Sequence, residues 1–100
     1  MIKVIVVSLI EKIETNAVTT IAEKEEVIAI LSDKAFNRML NDYEILYNDA
    51  SKTITYVFDK YIKTFESIPD IMLSSRSVTL VEIKQLLLNE LHSGDRSKYN

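Results

Sequence analysis

The sequence predicts an α+β domain, a small mixed sheet covered on one face by helices. Three observations carry that expectation. Residues 2–10 are an almost unbroken apolar, β-branched run (Ile2, Val4, Ile5, Val6, Val7, Leu9, Ile10), which reads as a strand covered on both faces. Residues 43–58, YEILYNDASKTITYVF, fold back on themselves as an aromatic hairpin. Residues 79–92 combine an N-terminal capping box with an apolar stripe at helical spacing.

At 100 residues the chain has room for one modest core. Residues 1–94 are expected to form a single globular domain, and 95–100 (DRSKYN) a polar tail. A composition of 47% hydrophobic and 27% charged residues is that of a globular chain and argues against wholesale disorder.

In chain order, the first strand is followed by an ambiguous stretch. Thr15-Asn16 can turn the chain into a second strand, pairing Ile13 with Val18 and Ile10 with Ile21. The favoured reading caps a helix at Thr20, with Glu23 completing a capping box and Glu25 and Glu26 suiting the helix dipole. Periodicity then runs through Ile21, Ile28, Leu31, Ala35, Met39 and Leu40, and Ser32-Asp33 can re-cap the chain into two helices, about 21–31 and 33–41. The helical segment as a whole spans 20–41.

The hairpin faces Tyr47 with Ile54, Ile45 with Tyr56 and Tyr43 with Phe58, and Asp49–Lys52 serves as its loop. Side chains alternate along a strand, so these six share one face as the floor of the core. After Asp59 the pattern fits a strand or a short helix over 60–67 equally, and Pro69 ends whatever precedes it. In the C-terminal helix Thr79 is the cap, Glu82 its partner, and Val78 with Ile83 the hydrophobic staple. Leu80, Ile83, Leu87 and Leu91 form the stripe, widened by Val81 and Leu88. His92 falls in the last turn and Gly94 just beyond it, so the helix is expected to stop there.

Several function classes are excluded or weakened by composition. With no cysteine there is neither a disulfide framework nor a thiol nucleophile, and a lone histidine, His92, cannot build a multi-histidine metal site. As a general base His92 lacks a shaped nucleophile turn and an orienting carboxylate. One glycine leaves no phosphate-cradling loop. The N-terminal apolar run is too short to span a membrane and lacks a cleavage signal, so an intracellular, cytoplasmic chain is the simplest expectation. Nine lysines against three arginines, with much Ile and Asn, suit an AT-rich genome such as that of a phage, plasmid or archaeal virus.

Two constellations offer sharper chemistry. Pro69-Asp70 followed by Glu82-Ile83-Lys84 resembles the PD-(D/E)xK motif of the restriction-type nuclease superfamily. That resemblance implies a divalent metal held by Asp70 and Glu82, with Lys84 orienting the attacking water. It needs Glu82 and Lys84 on a strand; on a helix they diverge by about 200°. The second constellation resembles a winged-helix DNA-binding unit, with Lys34, Asn37 and Arg38 on its second helix and Lys52, Lys60 and Lys63 on the wing. Asp33, Asp42, Glu44 and Asp49 are interspersed there, which is the usual look of a solvated face. A net charge of −3 with scattered basic residues does not favour nucleic acid.

The reading that remains is a non-enzymatic protein-interaction module, a regulator or inhibitor with no cofactor, metal or membrane partner. The simplest sheet order leaves the first strand at an edge, where an apolar strand invites pairing. Ile2, Val4 and Val6 are therefore the expected homodimer or partner edge.

Overall fold

The apolar N-terminal run forms a helix, and its burial pattern shows why. Ile2, Ile5, Val6, Leu9 and Ile13 are buried, spaced three and four residues apart along one helical face. A strand would bury Ile2, Val4 and Val6 together, yet Val4 is 71% exposed while Ile2 and Val6 are 1% and 3%. Valines at the exposed positions 4 and 7 concealed the helical period in the sequence.

The computed structural model describes residues 1–71 and 75–99, with side chains through residue 93. Among the described residues there is no strand, so the expected α+β sheet is replaced by an all-helical fold. Its helices are α1 (Ile2–Glu14), α2 (Lys24–Leu31), α3 (Lys34–Tyr47), α4 (Ala50–Glu66) and α5 (Arg76–Tyr99). The core is contiguous across all of them, and α4 against α5 is the most extensive pairing.

The aromatic hairpin is a pair of antiparallel helices. Where a β-turn was expected, Asn48 adopts a left-handed conformation (φ 52°, ψ 36°) and ends α3, a conformation asparagine tolerates better than most residues. Asp49 then restarts the chain: its carboxylate accepts from the Lys52 amide at 3.0 Å as the cap of α4. In the predicted strand, Ile54, Tyr56 and Phe58 would share the core face. Ile54 and Phe58 are indeed fully buried, but Tyr56 is 42% exposed, and Thr53 and Val57 from the opposite strand face are also fully buried. Ile45, assigned to the core face, is 82% exposed.

The β-branched content of α4 is accommodated locally. The Thr53 hydroxyl donates to the Asp49 carbonyl at 2.7 Å, and that of Thr64 to the Lys60 carbonyl at 2.9 Å, so each polar group is satisfied within its own helix. A hairpin also needs a third strand to be stable in water. With residues 2–14 helical that partner is missing, whereas two helices satisfy their own backbones. Replacing Asp49 by alanine is expected to destabilise the fold by about 1 kcal/mol, with asparagine retaining most of it. Urea unfolding measures this, and no change on Asp49→Ala would place the α4 start elsewhere.

Smaller corrections follow from the same geometry. Residues 15–23 are neither strand nor helix: Asn16 has φ 63°, and the Ala17 and Val18 amides donate to the Lys12 carbonyl at 2.8 and 3.1 Å. The expected cap Thr20 instead donates its hydroxyl to the Ala22 carbonyl, and α2 starts after Glu23. Within the helical segment Ile21 is 98% exposed and Ala35 is exposed, while Val27 and Phe36 supply the buried positions. Asp33 does cap α3, accepting from the Phe36 amide at 2.8 Å. Residues 60–66, left open between strand and helix, continue α4.

The C-terminal stripe Leu80, Ile83, Leu87 and Leu91 is buried as expected, and Leu88 packs beside it, although Val81 is 44% exposed. The helix starts at Arg76 and runs to Tyr99. Thr79 is therefore interior and buried rather than a cap, His92 is not in the last turn, and Gly94 does not end the helix.

Candidate functional site

The residues singled out for metal-assisted hydrolysis do not converge. Glu82 and Lys84 lie on α5 and serve different neighbours. The Glu82 carboxylate accepts from the Ile21 amide at 2.6 Å and the Ala22 amide at 3.0 Å, pinning the α1–α2 loop. Lys84 instead reaches α4, donating to Asp59 at 2.7 Å. Asp70 lies in the connection before α5, where it has an interaction of its own. The strand geometry that the nuclease resemblance requires is thus absent, because α5 turns the two side chains apart. Among the described residues no cluster of three or more His, Cys, Asp or Glu could hold a metal ion.

The winged-helix constellation loses its wing. Lys34, Asn37 and Arg38 lie on α3, but the Asn37 amide donates to the Leu31 and Asp33 carbonyls, both at 2.8 Å, at the α2–α3 junction. Lys52 is on α4 with its ammonium 5.0 Å from the centre of the Tyr47 ring, a cation–π contact. Lys60 and Lys63 share its face of α4 with Tyr56 and Asp59. Tyr43, Tyr47 and Tyr56 pack around the α3–α4 corner with ring centres 5.2 to 5.8 Å apart. Partial burial first, then the Tyr56 and Tyr43 phenols, hold the Tyr47 phenol above its ordinary pKa. These rings secure the corner between two helices.

Other glutamates that read as surface charges also tie elements together. Glu44 on α3 accepts from the Ile2 amide at 3.2 and 3.3 Å and from the Met1 amino group at 3.4 Å. A carboxylate there satisfies donors that the first turn of α1 leaves open. Glu90 on α5 accepts from the Ser8 hydroxyl at 3.0 Å and from Lys12 at 2.8 and 3.0 Å. Neither role was legible in the sequence, since the partners lie 42 and more positions away.

The expected partner edge is reorganised by the same contact. Ile2 and Val6 point into the core, and only Val4 of the three is exposed. Glu44 joins the start of α1 to the end of α3, so exposed Met1 (65%) lies beside Glu44, the chain neighbour of exposed Ile45 (82%), and Val4 (71%) is exposed on the first turn of α1. Leu46 and Val7 are exposed as well. Sequence reasoning missed Ile45 because it assigned that residue to the core face of a hairpin. A helical wheel through 34–47, with Phe36 and Leu40 inward, would have placed it outside.

A groove opens at the other end of α3. It has a volume of about 330 Å³ and is lined by Ala29, Ile30, Asp33, Phe36, Tyr61, Phe65, Arg76 and Leu80. Comparison with known proteins yields no match to this chain, whether with family models, curated proteins or solved structures. Among the described residues no helix is long and apolar enough to cross a membrane.

Proposed function

We propose that this chain is a non-enzymatic interaction module of the cytoplasm, a regulator or inhibitor that works by protein–protein contact. Its contact surface is the apolar junction between the start of α1 and the end of α3. The observation that supports this is the exposure of Met1, Val4 and Ile45 around the Glu44 tie. Exposed large apolar side chains that cluster mark contact sites, and the Glu44 tie brings the two chain segments carrying these three together. The residues that first suggested chemistry, Glu82 and Lys84, are engaged in holding the α1–α2 loop and α4.

A photo-crosslinking side chain at Val4 or Ile45, introduced in the native host, tests the surface. The expected result is an adduct at both positions, of either twice the chain's mass or the mass of one further protein. The same group at exposed Gln85 on α5 should give none. Val4→Asp with Ile45→Asp should weaken the association at least about tenfold, as expected when the centre of an apolar contact is charged. Both sites are exposed, so the fold should persist. Adducts no stronger at Val4 and Ile45 than at Gln85 would refute the proposal.

A further inference from the structure

We propose that the groove between α2, α3, α4 and the first turn of α5 is a binding site for a small aromatic monocarboxylate. This site is separate from the α1–α3 junction and does not depend on it. Four helices contribute its walls: Ile30 from α2, Phe36 from α3, Tyr61 and Phe65 from α4, and Leu80 from α5. Spaces between helices of a bundle are a common place for ligands, and a volume of about 330 Å³ is at the small end of the range that holds them.

The lining selects the ligand's body. Phe36 meets Tyr61 with ring centres 5.4 Å apart at 45°, and it meets Phe58 below at 5.0 Å and 73°. Phe36 is thereby held from beneath in an edge-to-face contact, and Tyr61 and Phe65, each half-buried, border the open side. A flat ring entering here finds further edge-to-face partners, the geometry that aromatic pairs prefer.

The rim selects the ligand's charge. Among the described residues the charged side chains of the lining are Asp33 and Arg76, both exposed. Asp33 is already engaged, since its Oδ2 accepts from the Phe36 amide at 2.8 Å as the cap of α3. Arg76 is exposed and has no ion pair among the described residues. A guanidinium matches a carboxylate through two parallel hydrogen bonds. With one cation at the rim and a carboxylate beside it, a singly charged group fits better than a doubly charged phosphate. The site therefore calls for a ring to fill the groove and one carboxylate on a short tether to reach Arg76.

An amide-resolved NMR titration of the whole chain tests this with three probes: phenylpropionate, its neutral amide, and acetate. A ligand of this size is expected to bind on the order of millimolar. Phenylpropionate should give saturable shifts at Ile30, Phe36, Tyr61, Phe65 and Leu80, the neutral amide should bind about tenfold more weakly, and acetate should not shift these residues. Arg76→Gln should lower phenylpropionate affinity about tenfold, to the level of the amide. Ala29→Trp, at an exposed rim position, should block the groove while leaving the other amide shifts in place. The proposal is overturned if phenylpropionate does not saturate, if the amide binds equally well, or if acetate reproduces the shifts. Binding that survives Ala29→Trp also overturns it.

Discussion

Replacing Phe58 by alanine is expected to cost about 3–5 kcal/mol of folding stability, the range for removing a buried phenylalanine ring. Phe58 is fully buried at the centre of α4 and packs edge-to-face on Phe36. That loss is comparable with the whole stability of a marginal domain, commonly about 5–15 kcal/mol. Urea unfolding measures it, and the comparison with Tyr56→Ala makes it diagnostic. In an aromatic hairpin Tyr56 and Phe58 would share the core face and cost similar amounts. In the helical fold Tyr56 is 42% exposed and its ring packs on Tyr43 and Tyr47 at the α3–α4 corner, so it should cost clearly less. Equal losses at the two positions would count against the helical assignment of α4.

The second large effect is expected at Glu82. Its carboxylate takes two backbone donors of the α1–α2 loop, from Ile21 and Ala22. Hydrogen bonds to a charged group contribute about 1.5–3 kcal/mol each when buried. Glu82 is only half-buried, so water replaces part of what is lost, and Glu82→Ala should cost about 2 kcal/mol in all. The loss should be local as well as global. Amide exchange at Ile21 and Ala22 should accelerate more than exchange in the α4–α5 core, because a loop can open without unfolding the domain. Glu82→Gln keeps an acceptor and should fall between alanine and wild type. Unchanged exchange at both amides in Glu82→Ala would remove the loop tie from the account of this fold.

These two residues also show how much of the molecule could be read in advance. Phe58 was placed in the core by the sequence pattern, and it lies there, although on a helix. The reason is that Ile54 and Phe58 are four positions apart, a separation that shares a face both on a strand and on a helix. Glu82 was recognised as noteworthy, yet for a role its helix does not permit. Its actual partners are the Ile21 and Ala22 amides, 61 and 60 positions distant. The α1–α3 junction was half legible. Val4 was named as part of a partner edge, while Ile45 was assigned to the interior.

By itself the sequence determined the buried stripe of α5 and the absence of thiol chemistry, and it offered Ser32-Asp33 as a cap for α3, of which Asp33 makes the bond. In each of these the information is local, in the period of the apolar residues, in one carboxylate before a helix, or in composition alone. The tertiary structure alone decided whether residues 2–10 and 43–58 are strands or helices. β-Branched residues prefer strands only where a pleated neighbour exists to pack against. Here α1 buries its apolar face on helices, and Asn48 with Asp49 breaks the aromatic stretch into two helices rather than two strands. The same holds for Glu44, Glu82 and Glu90. A carboxylate's role depends on which donors lie beside it, and packing brings those donors from far along the chain.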